Sequence, residues 1–245
     1  MDPLAAGPQH GIAQLANAAD CHGAPIWGFA TDLQPTVTYR SLMSLAGLVL
    51  AAGRSERMGT PKALLDFRGQ PFVIRILEAL EALEVRPRVV VLGPDAPRIR
   101  PALAAHDCIV VENADVAGGS IASLRAALRA LQTVRPSGLL VWPVNLPHVR
   151  VATIERLIEA YRRTAAAAVV PTFGERRGHP VIWDHELFRE LESSNDATRH
   201  GARAVLQAHA DRIDSVAADD PAVIDDLNTP ADYERLVREV NRDIY

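Results

Sequence analysis

Residues 48–62 read LVLAAGRSERMGTPK and gather the groups that a phosphate chain needs. An apolar run leads into Ala51, Ala52 and Gly53, side chains small enough for backbone N–H groups to approach an anion closely. Arg54 and Arg57 follow, then Gly59, Pro61 and Lys62. Lys62 is the only lysine in the sequence. It is a compact point charge on a flexible stem, suited to following phosphate charge as it moves. The chemistry to expect is the binding of a triphosphate. The spacing is neither GxxxxGK(S/T) nor GxGxxG, which disfavours a Walker loop and a dinucleotide-binding turn. A solvated turn with scattered arginines is the plain alternative. The full run of strand, small residues, arginines, Gly, Pro and Lys is far more specific than AAG alone.

Other segments hold residues able to act on a ligand. ENADVAGGSIASLRAAL carries Gly119 and Ser123, VWPVNLPHV carries Asn145, ERRGHPVIW carries Arg177, Gly178 and His179, and DDLNTPADY carries Asp226 and Asn228. His179 reads either as a buried structural histidine or as a ligand contact, and Arg176 and Arg177 either as a solvated face or as part of that contact. His106, His200 and His209 show no metal-ligand pairing, and no Ser-His-Asp arrangement is supported by spacing.

These residues need a frame. LAGLVLAAG reads as a buried strand ending in a glycine loop, and Phe72, Val73, Ile76, Leu77, Leu80 and Leu83 follow helical spacing. VRPRVVVLG, CIVVEN, GLLVWPVN and AAAAVVPT read as further strands, with helices at 96–105, 120–131 and 151–163 between them. Strands are also expected at HPVIW, at RIDSV and in the run before Leu227, and helices at 185–191, 201–209 and 230–240. Pro230 suits a helix start, where its missing N–H is not needed. Alternating strands and helices imply an α/β fold: three layers, a mostly parallel sheet with helices on both faces. Ligands in such sheets bind beyond the carboxyl ends of the strands, where each segment above begins.

Composition bounds the rest. With 245 residues, 48% hydrophobic and 23% charged, the chain has an ordinary globular composition, and its net charge of −4 gives no sign of a nucleic-acid partner. Two cysteines, Cys21 and Cys108, make no disulfide framework and no zinc site. No apolar stretch approaches the ~18 residues that span a bilayer. The first Lys or Arg is Arg40, so the start lacks the basic end expected of a signal peptide. A cytoplasmic protein with no membrane partner is expected. Residues 1–44, rich in Ala, Gly, Pro and Gln, read as a poorly ordered extension or as the product of a start codon assigned upstream. The domain proper is expected at 45–241.

LAAGRSERMGTPKALL resembles the signature of the molybdenum-cofactor nucleotidyltransferases, most of all their molybdopterin cytidylyltransferase branch. Those proteins belong to the wider group of sugar-phosphate and methylerythritol-phosphate nucleotidyltransferases. The segments at 112–128, 175–183, 201–209 and 225–233 resemble the same family, so the likeness covers about residues 45–240. It implies a Rossmann-like nucleotidyltransferase fold. It also implies that Leu50, Ala51, Ala52 and Gly53 lie against the nucleotide, with Gly119, Ser123 and Asn145 completing its site. By the same likeness Lys62 and Arg54 are the catalytic cations on the phosphates, and Arg177, Gly178 and His179 face the second substrate. The Ala-Ala-Gly start leans toward cytidine over guanosine. The implied reaction moves CMP from CTP, or another nucleotide from its triphosphate, to a molybdopterin-type cofactor and releases pyrophosphate, with Mg²⁺ as cofactor.

The likeness breaks at the metal. The family usually has Asp where this chain has Asn145, and its second ligand falls at Asn228. A neutral carbonyl oxygen serves Mg²⁺ less well than a carboxylate. Three arrangements stay open: Mg²⁺ held weakly through the triphosphate and water, Asp226 moving in to compensate, or nucleotide or pterin binding without transfer. Strand alternation works against Asp226, which would lie about 6.5 Å from Asn228 along the chain. The rival class is thus a weakened or inactive relative that binds a nucleotide or pterin cofactor and delivers it, for example to an apo-molybdoenzyme.

Overall fold

The computed structural model of the protein describes residues 44–115 and 117–242. The expected extension, apart from Ser44, lies outside the described residues. Ten strands and eight helices follow in the order β1 (Leu45–Ala51), β2 (Asp66–Phe67), β3 (Gln70–Pro71), α1 (Phe72–Ala82), β4 (Arg88–Leu92), α2 (Ala96–Leu103), β5 (Ile109–Glu112), α3 (Gly119–Ala130), β6 (Gly138–Pro143), α4 (Val151–Arg163), β7 (Ala168–Phe173), β8 (Arg176–Arg177), β9 (Val181–Asp184), α5 (Phe188–Ser193), α6 (Asn195–His200), α7 (Arg203–Ala208), β10 (Ile213–Ala217) and α8 (Pro230–Arg242).

Eight strands form one sheet in the order β10-β7-β9-β6-β1-β4-β5, with β8 paired to β7, while β2 and β3 make a separate hairpin. β1 runs parallel to both β4 and β6, and only β9 and β8 oppose their neighbours. The chain leaves β1 on one side, builds β4 and β5, then crosses back through α3 to lay β6 on the other side. β1 is therefore the switch point of the sheet, where the loops on its two flanks part and open a crevice.

β1 shows why the run LAGLVLA is apolar throughout. Ala46 and Leu48 pack into a core with α3, α5 and α7, whereas Leu45, Val49 and Ala51 pack into a second core with α1, α2 and α4. A strand covered on both faces has no polar face to show. Burying a leucine such as Leu48 completely stabilises by about 1.5–3 kcal/mol. This is the three-layer arrangement expected from the sequence.

One expected strand is absent. The run before Leu227 is a 3-10 helix, Pro221–Ile224, because Asp220 at its N-cap accepts the Ala222 N–H and Pro221 starts the turn. Asp220 also accepts the Arg150 N–H at 2.9 Å and the Thr153 hydroxyl at 2.8 Å, which fastens this turn to the start of α4.

Candidate active site

β1 stops at Ala51, and residues 52–62 arch over the carboxyl end of the sheet. Ser55 (φ 50°) and Gly59 (φ 67°) take left-handed backbone on either side of the 3-10 turn Glu56–Met58. The Lys62 N–H donates to Ser55 Oγ at 3.0 Å, tying the end of the arch to its start. Gly53 differs from Gly59 in that its backbone is not left-handed; among the described residues, its chain neighbours aside, no atom comes within 4 Å of where its Cβ would stand. Neither strain nor packing demands glycine there, so bare backbone faces open space. Gly93, just after β4, is demanded by packing, because a Cβ there would lie 2.2 Å from the carbonyl oxygen of Ala52.

Two concavities meet over this backbone. The larger, about 320 Å³, is lined among others by Ala52, Gly119, Ser123, His179 and Trp183. The smaller, about 180 Å³, is lined among others by Ser55, Pro61, Lys62 and Asn145. Leu50 and Gly53 line both.

The far wall of the larger concavity is built by Asn113, which is buried. Its amide nitrogen donates to Ser123 Oγ and to the Asp115 carbonyl, each at 3.1 Å, and its amide oxygen accepts the Asp115 N–H at 3.0 Å. Asp115 in turn accepts the Gly118 N–H at 2.9 Å, and Gly119 opens α3 with φ 65°. The Ser123 hydroxyl, fixed as an acceptor by Asn113, keeps its own proton to donate.

At the smaller concavity Lys62 Nζ donates to Asn228 Oδ1 at 2.7 Å. Asn145 Nδ2 donates to Asp226 Oδ1 at 3.0 Å and lies 3.5 Å from Asn228 Oδ1. Asn228 is set by a capping box at α8: Asp232 Oδ2 accepts the Asn228 N–H at 3.0 Å, the Thr229 N–H at 2.8 Å and the Thr229 hydroxyl at 2.7 Å. Burial lowers the pKa of Lys62 and Arg57 lowers it further, while Asp226 and Asp232 act in the opposite sense. The His179 side chain opens on the cleft, yet crowding by protein lowers its pKa, opposed by Asp226. The neutral imidazole therefore prevails at pH 7.

Residues 47–213 match the MobA-like NTP transferase domain. The chain belongs to the MobA-like NTP transferase family. It is 30% identical over 202 residues to nicotine blue oxidoreductase of Paenarthrobacter nicotinovorans, spanning 80% of this chain and 98% of that protein. It is also 30% identical over 208 residues to molybdenum cofactor guanylyltransferase of Sinorhizobium fredii, spanning 80% and 91%. Among solved structures, Rv0371c from Mycobacterium tuberculosis H37Rv superimposes with a TM-score of 0.68 at 30% identity, over 80% of this chain and 99% of that one. A second structure of that protein is a complex with manganese.

Against this MobA-like frame the expected residues fall into three groups. Leu50, Ala52, Gly53, Gly119, Ser123 and His179 line the larger concavity. Ala51, Lys62 and Asn145 line the smaller, and Asn228 is joined to it through Lys62. Arg54, Arg177 and Gly178 line neither. Arg54 is exposed, 3.6 Å from the Glu56 carboxylate, and Arg177 is exposed on β8. Gly178 is buried where a Cβ would stand 2.2 Å from the Val223 carbonyl oxygen, so packing accounts for it. Asn113 and Trp183 are lining residues that the sequence reading passed over. Asn113 follows β5 as Asn145 follows β6, so the rule about carboxyl ends would have found it. Trp183 sits inside β9 and carries no such signal. Strand alternation speaks against Asp226, which the sequence leaves as one of three open arrangements; it stands beside Asn145 because residues 225–229 are a loop.

Proposed function

We propose that the protein transfers a nucleotide, CMP from CTP in the first instance, to a phosphorylated acceptor of the molybdopterin type and releases pyrophosphate. The observation that carries this reading is Lys62, the only lysine, half-buried beside the bare backbone of Gly53 where the two concavities meet. A nucleoside would fill the larger concavity, and its phosphates would cross Gly53 toward Lys62. A phosphate oxygen of the acceptor would attack the α-phosphorus and form the new P–O bond. The bond to the β-phosphate oxygen would break, and pyrophosphate would leave with that electron pair. The attacking phosphate is ionised at neutral pH, so no general base is required. Lys62 would meet the charge on the transferring phosphoryl group, and Arg54 would swing from Glu56 toward the leaving pyrophosphate. His179 and Arg177 would meet the acceptor.

A divalent ion, Mg²⁺ in expectation, supplies further positive charge on the phosphates when bound with the nucleotide. Among the described residues no three His, Cys, Asp or Glu side chains gather as a metal site. Mg²⁺ commonly needs only one or two carboxylates beside substrate phosphates, and the oxygens at Asn145, Asp226 and Asn228 fit that smaller demand. The base preference rests on the Ala-Ala-Gly start of the arch, of which Ala52 lines the larger concavity. The Sinorhizobium fredii relative, a guanylyltransferase by name, favours GTP instead. We place the activity in the cytoplasm; among the described residues no helix is long and apolar enough to cross a membrane.

One observation favours a second reading. Asn145 and Asn228, the positions expected to hold metal, are both neutral. In that reading the site binds a nucleotide or pterin cofactor and delivers it without transfer, an apo-molybdoenzyme being one recipient. A single-turnover assay with molybdopterin and each of CTP, GTP and ATP separates the two. Stoichiometric pyrophosphate release with CTP supports transfer. Tight nucleotide or pterin binding with no pyrophosphate contradicts it and supports delivery.

A further inference from the structure

We infer that Asp226 is this site's carboxylate ligand for the divalent ion, and that Asn145 is the side chain that holds Asp226 in place. The inference rests on the reading that the site handles a metal-bound nucleotide. The hydrogen-bond directions here are fixed by chemistry. Lys62 can only donate, so the atom of Asn228 facing it at 2.7 Å must be the amide oxygen. A carboxylate can only accept, so the atom of Asn145 facing Asp226 at 3.0 Å must be the amide nitrogen.

An aspartate at position 145 would set a second carboxylate against Asp226 at hydrogen-bond distance, where two negative charges resist ionising together. Asn145 therefore reads as the partner that Asp226 requires. The carboxylate of this site is then carried by the loop before α8, with Asn145 on the loop after β6 as its donor.

The backbone explains how Asp226 reaches the site. The Leu227 N–H donates to the Asn145 carbonyl at 3.2 Å and its side chain is fully buried. Leu227 thus docks its loop on Asn145, and the residues on either side of it, Asp226 and Asn228, both present oxygens to the Asn145 amide. The neighbouring Asp225 is engaged elsewhere, by Arg235 at 2.7 and 2.8 Å and by His148 at 3.3 Å. Asp226 is exposed, and among the described residues its one hydrogen-bond donor is Asn145. Its charge acts on both Lys62 and His179.

A charge-swap cycle tests this. Mn²⁺ binding is followed by electron paramagnetic resonance, with CTP or GTP present, in the wild type, Asp226→Asn, Asn145→Asp and the double variant. Thermal midpoints check that each is folded. Asp226→Asn should weaken Mn²⁺ at least on the order of tenfold, the loss that removing even an outer partner of a ligand causes. Asn145→Asp alone takes from Asp226 its donor and sets two carboxylates against each other, so it should not tighten Mn²⁺, and the double variant should return close to the wild type. Wild-type affinity in Asp226→Asn would overturn the inference. A loss that Asn145→Asp does not repair would also overturn it, leaving Asp226 a positioning residue. Wild-type protein that binds no nucleotide would overturn the proposed function itself, and this inference with it.

Discussion

Lys62 keeps its charge against the cost of burial and the repulsion of Arg57. Its proton should therefore leave at lower pH than that of a free lysine, near 10.4. If the ammonium is the form that meets phosphate, kcat/KM should fall as pH rises through this lowered value. Arg57→Ala should move that alkaline limb to higher pH; a limb indifferent to Arg57 would separate it from Lys62. The stability effect has the opposite slope. Between the lowered value and the ordinary one, the unfolded chain holds more protons than the folded one, so Lys62's part in stability rises with pH. At Ala52 the issue is volume. Ala52→Gly changes a residue that lines the larger concavity to the smaller side chain and should raise thermal protection by GTP relative to CTP, since protection tracks binding to the native state. Greater protection of the wild type by GTP than by CTP would contradict the pyrimidine reading.

The elements that carry the site were legible where their periodicity was long. Helix α4 spans the residues its spacing predicts, and α3 starts one residue earlier than expected, at Gly119. The short elements were not legible. The hairpin of β2 and β3 has two residues per strand, too few for alternation to show. The apolar run Ala222–Ile224 looks like a strand until Asp220 is known to cap it. That single misreading put Asp226 at the end of a strand and counted alternation against it. Gly93 was equally opaque, because its importance lies in contact with another strand's loop. Gly93→Ala would drive a methyl into the Ala52 carbonyl. Overpacking of this kind costs about 1–3 kcal/mol, and the arch that must move bears Gly53 and Lys62. The variant should melt earlier and bind nucleotide more weakly. Unchanged nucleotide affinity would show that the arch does not depend on its seat against β4.

The whole molecule brings residues far apart in sequence to one crevice. The loop after β1 supplies Gly53 and Lys62, those after β5 and β6 supply Asn113 and Asn145, and the segment before α8 supplies Asp226 and Asn228. α8 returns to the start of the fold: Tyr233 donates to the Asp66 carbonyl at 3.0 Å, its ring meets Phe72 edge-on at 6.0 Å, and Arg235 grips Asp225. That return sets Asn228 against Lys62 across 166 residues. The three-layer class and the arch that follows β1 could be read from the sequence, because a buried strand followed by small residues and a lysine is a local pattern. The pairing of Asp226 with Asn145 could not, because it depends on how two distant loops dock. The central claim is that a nucleotide is transferred, and label at the α-phosphorus follows that step directly. With α-³²P-CTP and molybdopterin, wild-type protein should move label into the acceptor, and folded Lys62→Ala should do so more slowly by on the order of 10²- to 10³-fold. Label that stays in CTP with the wild-type protein, or near-normal transfer by Lys62→Ala, would contradict the account.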